Sequence, residues 1–214
     1  MPTLQFLKER IQKIIKDQSL DKDLIDCLNV ALDEISSSEF PLVLLPELET
    51  SSTVVTGTDP YVALPSNFHR HLYCVKSAAH EKAEIAILGS TKRLQEEYGV
   101  ELDTSGDVKC VTLKGSNLYY QPIPSEADTL TLYYYRIPTY FTDDDTGNIT
   151  VIPANFQIDT LVNNVLSQLY EMKGDYAKAD RYRVKYELGL KRLSEAIPFK
   201  SKQYISRGRA IIDF

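Results

Sequence analysis

Residues 117–156 read NLYYQPIPSEADTLTLYYYRIPTYFTDDDTGNITVIPANF, and this stretch decides the fold class. A short strand runs into a proline turn at Pro122-Ile123-Pro124. An aromatic strand, Thr129 to Arg136, follows, because side chains alternate across a strand. Leu130, Leu132 and Tyr134 fall on one face, and Thr131, Tyr133 and Tyr135 on the other. An acidic turn, Asp143-Asp144-Asp145-Thr146-Gly147-Asn148, comes next. Pro153 then suits the first turn of a long helix, where its missing N–H costs nothing.

Upstream, short runs rich in β-branched and aromatic residues repeat between Gly, Pro, Asn and Asp punctuation. They predict strands over 52–56, 61–64, 72–75, 85–88, 108–113, 118–121 and 129–136. One short helix interrupts them at 90–98, capped by Ser90 and stopped by Gly99. The short connections predict antiparallel pairing.

The outer segments are helical. Leu4, Leu7, Ile11 and Ile14 recur at helical spacing, as do Leu24, Leu28, Ala31 and Ile35. Ser19 and Asp21 compete as N-cap of the second helix. Pro41 forbids that helix from resuming after Ser36-Ser37-Ser38. After Pro153, Phe156, Leu161, Val165, Leu169 and Met172 mark a third stripe. Gly174 ends it, and Asp175 caps a fourth helix carrying Tyr176, Ala179, Tyr182, Tyr186, Leu190 and Leu193. Pro198 closes that helix. The expected fold is therefore α+β. Residues 1–40 and 151–197 form a four-helix bundle, 41–150 an inserted antiparallel β-domain, and 198–214 an extended C-terminal tail.

The chain has 214 residues, 43% of them hydrophobic and 25% charged, so it can bury a core. Its net charge of -6 argues against phosphate-backbone binding as the main activity. Cys27, Cys74 and Cys110 lie far apart with no CxxC pair, which reads as reduced, half-buried thiols in a cytosolic setting. No apolar run reaches membrane-spanning length, so no membrane partner is expected.

Catalytic signals are weak. No GxSxG, HExxH, GxxxxGK[ST] or GxGxxG occurs. His69 and His71 would share a strand face and could share a metal, but no third ligand stands nearby, and interface histidines explain them as well. The Asp143–Asp145 turn lacks the distal Glu of a calcium loop and reads more simply as an exposed Asx turn. Cys110 has no histidine neighbour in sequence, and Glu96-Glu97 reads as a solvated helix face. The sequence thus predicts no catalytic residue, no metal site and no cofactor. A hydrolase would need His69, His71 and acidic residues to meet in a pocket.

The remaining signals concern contact with other chains. The 14 tyrosines, with no tryptophan, exceed what a core needs. Tyr119-Tyr120 and Tyr133-Tyr134-Tyr135 put rings on both faces of a sheet, whose cover is either a neighbouring subunit or a helix of the same chain. In the tail, Phe199, Tyr204, Ile211, Ile212 and Phe214 alternate with Lys200, Lys202, Arg207 and Arg209. Apolar anchors with basic groups suit a segment that orders on a partner, or one that folds back on its own domain.

Asn29–Ile35, Tyr61–Phe68 and a strand around Val75 resemble the head-to-tail adaptor proteins of short-tailed bacteriophages. Gly115–Pro124, Leu130–Tyr134, the DDDT turn and Ile152–Phe156 resemble the same group, of the tail tubular protein A kind. The resemblance covers residues 24 to 196. It implies a helical bundle with a β-rich insertion and a closed homo-oligomeric ring of twelve subunits beneath the portal protein. Such a ring extends the DNA channel, lets genomic DNA pass without specific binding, and offers a platform to a downstream tail or nozzle protein. It also implies a place at the head-to-tail junction of the virion, after assembly in the host cytoplasm. No motif matches in the tail; by position, Phe199 to Phe214 would dock on the portal or a neighbouring subunit. Asp143, Asp144 and Asp145 would face the lumen or a basic tail component. The alternative is a non-catalytic module whose aromatic β-domain holds a carbohydrate or peptide.

Overall fold

The computed structural model describes residues 2–78, 84–142 and 147–197. Among them are five α-helices and two sheets, a mixed α+β architecture. The chain divides into two compact units, one of Met1–Leu48 with Pro138–Pro198 and the other of Glu49–Ile137.

The first unit holds α1 (Leu4–Ile15), α2 (Leu24–Ser37), α4 (Asn163–Met172) and α5 (Tyr176–Ala196). Thr3 caps α1 by accepting the Phe6 N–H, and Lys16 ends it in the left-handed conformation. Leu4, Leu7, Ile11 and Ile15 are buried, one turn apart along α1. The chain between α1 and α2 makes a 3₁₀ turn over Gln18–Asp23, so α2 starts at Leu24, later than a cap at Ser19 or Asp21 predicts.

The expected four-helix bundle of two packed hairpins is not supported. Instead α4 is the hub, packing on α1, α2 and α5. Nor does the third helix begin at Pro153. A turn closes from Phe156 N–H to the Pro153 carbonyl, and a π-helical turn follows over Ile158–Val162. The Val162 N–H reaches the Gln157 carbonyl at 3.2 Å, five residues back. The fully buried Gln157 donates Nε2 to the carbonyls of Ile149 and Ile152, both at 2.8 Å. That clamp holds the incoming loop against the start of the helix, and regular α-helix waits until Asn163. Met172, expected in a buried stripe, sits at a helix end and is 56% exposed; Tyr176, also at a helix end, is 67% exposed.

Gly174, at φ 72°, makes the break between α4 and α5 in a conformation that L side chains rarely adopt. Asp175 caps α5 through the Lys178 N–H. Gly189 lets α5 approach the π turn, and Ser167 Oγ donates to the Ala179 carbonyl at 3.0 Å.

The second unit stacks two sheets. β1 (Glu49–Val55), β7 (Thr129–Arg136) and β3 (Phe68–Ser77) form an antiparallel sheet with β7 central. The other sheet has the order β2 (Tyr61–Ala63), β6 (Asn117–Gln121), β5 (Cys110–Lys114), β4 (Ala86–Leu88). Leu130, Leu132 and Tyr134 of β7 point into a shared core with Val54, Val75, Val111, Leu118 and Tyr120. The alternation along β7 is the one its sequence predicts.

One pairing departs from the antiparallel expectation. β4 and β5 are parallel, with Ile87 opposite Val111. The connection between them contains α3 (Thr91–Tyr98), so the short helix is the crossover that a parallel pair requires. Ser90 caps α3 and Gly99 ends it at φ 87°, as their sequence positions predict. Leu94 of α3 is fully buried against Leu102 and Cys110, with Tyr98 and Tyr119 beside them. The outward ring of Tyr119 on β6 is therefore covered by a helix of its own chain.

Candidate functional site

Three features stand out as places where chemistry or contact is concentrated. The first lies on the outer face of the three-stranded sheet. Register places Glu49, Ser51 and Thr53 of β1 beside Tyr135, Tyr133 and Thr131 of β7. Irregularities in β3 between Phe68 and Cys74 turn Tyr73 onto the same aromatic stripe. Its ring centroid lies 6.3 Å from that of Tyr133 and 6.0 Å from that of Tyr135. Lys76 Nζ sits 5.4 Å from the Tyr133 ring centroid, a cation–π contact. The Tyr73 hydroxyl donates to Glu49, and burial together with that bond raises its pKa. Tyr133 and Tyr135 stay half-buried, and α3, the helix of this unit, packs on the other sheet.

The same irregular strand carries the histidines. His71 adopts φ 52°, which breaks strand alternation, and its ring stands edge-on to Tyr135 at 6.3 Å. His69 and His71 therefore lack the simple shared-face geometry that their spacing predicts. Among the described residues no group of three or more His, Cys, Asp or Glu is placed to hold a metal ion.

The second feature is a groove of about 320 Å³ in the helical unit, lined by Glu34, Asn164, Gln168, Arg183, Tyr186 and Glu187. Asn164, only 3% exposed, donates Nδ2 to Glu34 Oε2 at 2.5 Å. Gln168 donates Nε2 to Asn164 Oδ1 at 2.5 Å and reaches the Cys27 carbonyl at 3.5 Å. Buried polar groups cost stability unless paired, so this chain of bonds ties α2 to α4 in one register. Burial, and then the charge of Glu34, pushes the Tyr186 hydroxyl up to about 12. Arg183 pairs with Glu171 at 3.1 Å near the rim. The sequence reading missed this groove. Its signal was there: Asn163, Asn164, Ser167 and Gln168 interrupt an otherwise apolar helix.

The three thiols are more deeply buried than the half-buried placement the sequence predicts, at 6%, 6% and 3% exposed for Cys27, Cys74 and Cys110. All three are free and buried. Burial pushes Cys27 and Cys110 up to about 11 and raises Cys74 as well, which keeps them protonated at neutral pH.

The third feature is the anchoring of the segment before the acidic turn. Asn29 receives the Phe141 N–H at 2.8 Å and donates back to the Phe141 carbonyl at 3.1 Å. The Tyr140 hydroxyl donates to the Asp33 carboxylate at 2.9 to 3.0 Å. On the far side, Gly147 accepts the Leu4 N–H at 3.3 Å. Asp143, Asp144 and Asp145 themselves lie outside the described residues. So do Phe199, Lys200, Lys202, Tyr204, Arg207, Arg209, Ile211, Ile212 and Phe214.

Each of the three features is a surface or a tie between elements, which suits a protein that works by contact. The family model described as SU10 adaptor protein matches residues 2–209. The chain belongs to the SU10 adaptor protein family. It is thus a phage adaptor, a structural component of the virion. No curated protein matches the chain. Membership in this adaptor family agrees with the head-to-tail adaptor resemblance at its coarser level, and it extends over α1, which the resemblance left out. Among the described residues no helix of this adaptor is long and apolar enough to cross a membrane.

Proposed function

We propose that this adaptor is a non-enzymatic head-to-tail connector that assembles as a ring of twelve copies beneath the phage portal. The ring extends the DNA channel and gives a downstream tail or nozzle protein its platform. The family match over nearly the whole chain carries this reading. Charge supports it: an acidic chain presents few sticky cations to DNA sliding through a lumen. The adaptor acts in the virion at the head-to-tail junction, having been assembled in the host cytoplasm.

In this reading the tail residues Phe199 to Phe214 dock on the portal or the neighbouring subunit, with their aliphatic groups as anchors. Asp143 to Asp145 face the lumen or a basic tail component. Electron microscopy of the full chain mixed with purified portal tests the ring. An annulus on the portal's tail-facing side is expected; portal particles without one reject the reading. Truncation after Pro198 tests the tail. The truncated chain should keep its circular dichroism spectrum and lose portal binding, and retained binding rejects the docking role.

The Tyr73–Tyr133–Tyr135 stripe favours one second reading, a non-catalytic module that holds a carbohydrate or peptide on this face. The chain has no tryptophan but 14 tyrosines, so the difference in tyrosine fluorescence between the parent and Tyr133→Ala isolates that surface. Saturable quenching by neutral oligosaccharides, with loss of the effect in Tyr133→Ala, would favour the second reading over the first.

A further inference from the structure

We propose that the outward face of α5 in one copy packs on the outward face of α2 in the next. The inference deepens the ring reading above, on which it rests, by naming the two unlike surfaces that meet.

α5 turns Ala179, Leu190 and Leu193 inward, where they are buried. Its opposite side carries Val184 and Leu188, one turn apart, which are 56% and 52% exposed. Arg181 and Lys185 border this pair and are exposed. Arg181 has no ion-pair partner among the described residues. Of the six basic residues of α5, Lys178, Arg183 and Arg192 pair with Asp175, Glu171 and Asp159 of the same unit, whereas Arg181, Lys185 and Lys191 are in no such pair among the described residues.

α2 presents the complement. Val30 is 46% exposed, with exposed Asp26 one turn before it. One turn after it stand the carboxylates of Asp33, which accepts the Tyr140 hydroxyl, and Glu34, which accepts from Asn164, so Asp26 is the acidic group left to a partner. The sequence of α2, LIDCLNVALDEISS, contains no lysine or arginine. Each patch therefore has an apolar centre and charged flanks: those of α2 are acidic, while around Val184 and Leu188 the exposed Arg181, Lys185, Lys191 and Arg192 outnumber Asp180 and Glu187. From Asp26 to Asp33, and from Arg181 to Leu188, each patch runs about 10 Å along its helix at 1.5 Å per residue.

Two properties follow from pairing unlike faces. Every pair of copies leaves one α2 face and one α5 face unused, so the contact can repeat until a ring closes. Three apolar side chains also cover far less than the roughly 800 Å² per partner of a stable interface. Self-association through this contact is accordingly weak in dilute solution, and the contact sets which faces meet.

Engineered cysteines test the pairing in the full chain, because Cys27, Cys74 and Cys110 are buried. Val30→Cys and Leu188→Cys proteins are mixed at about 1 mM and oxidised, and disulfide-linked dimers are counted on non-reducing gels. The comparison is the same reaction of Val30→Cys with Val100→Cys, whose site is 75% exposed. The Val30–Leu188 pair should cross-link at least tenfold faster than the control. Adding Arg181→Glu to the Leu188→Cys protein should abolish the advantage. Adding Asp26→Arg to its partner should restore it. Equal rates for the two pairs, or Val30→Cys linking fastest to itself, overturn the inference. An annulus on the portal together with equal rates removes this pairing alone and leaves the ring standing. A clear advantage without any annulus on the portal supports the α2–α5 contact and removes the ring instead.

Discussion

A Cβ built on Gly189 would lie 2.3 Å from the Asp159 carbonyl oxygen, a backbone atom that cannot move aside cheaply. At an open helix position, Gly→Ala adds about 1 kcal/mol of stability. At Gly189 the sign reverses. Forcing α5 off the π turn should cost about 1–3 kcal/mol net, the usual scale of overpacking. Urea denaturation of Gly189→Ala checks this, and a raised midpoint would show that α5 is not seated so closely. The same scale shows why some residues declare their roles in sequence. Ser90, Gly99, Gly174 and Asp175 act on their own neighbours, so local chemistry identifies them. Gly189 acts on a backbone thirty residues away, and nothing beside it in sequence says so.

Elements differ in the same way. The strands of the described residues are legible because apolar and β-branched residues alternate between turn signals, and β7 keeps the bounds its sequence predicts. The parallel pairing of β4 with β5 is not, since strand direction depends on where the connecting helix packs. α3 makes that crossover through one principal anchor, Leu94. Leu94→Ala should cost about 2–5 kcal/mol by the lost burial and the cavity it leaves. Val100→Ala, at a 75% exposed site just after the helix, should change little. Thermal melts of both variants check the contrast, and equal melting temperatures would remove α3 from its assigned role. The π turn is equally hidden. It is accompanied by the Gln157 clamp on the Ile149 and Ile152 carbonyls, while the sequence shows only a proline suited to a helix start.

For the whole molecule, the ends of the β unit are instructive. Glu49 on β1 lies opposite Tyr135 on β7, so the chain enters and leaves this unit side by side. Its core is drawn from both sheets. A unit with adjacent ends and its own core should fold when cut out. Residues 49–137 expressed alone should give a β-rich circular dichroism spectrum and one cooperative urea transition. A broad, non-cooperative loss of signal would show that the unit borrows its stability.

The sequence by itself determined the order of elements, the α+β class and the resemblance to phage adaptors. These are properties of local periodicity, capping and composition, and neighbouring residues carry them. Only the tertiary structure decided that α4 is the hub of the helical unit, that β4 and β5 run parallel, and that Glu34, Asn164 and Gln168 join across a groove. Each of these depends on which distant surfaces meet. That choice is made by the total apolar area and polar pairing of the packed chain, and no short stretch of residues encodes it.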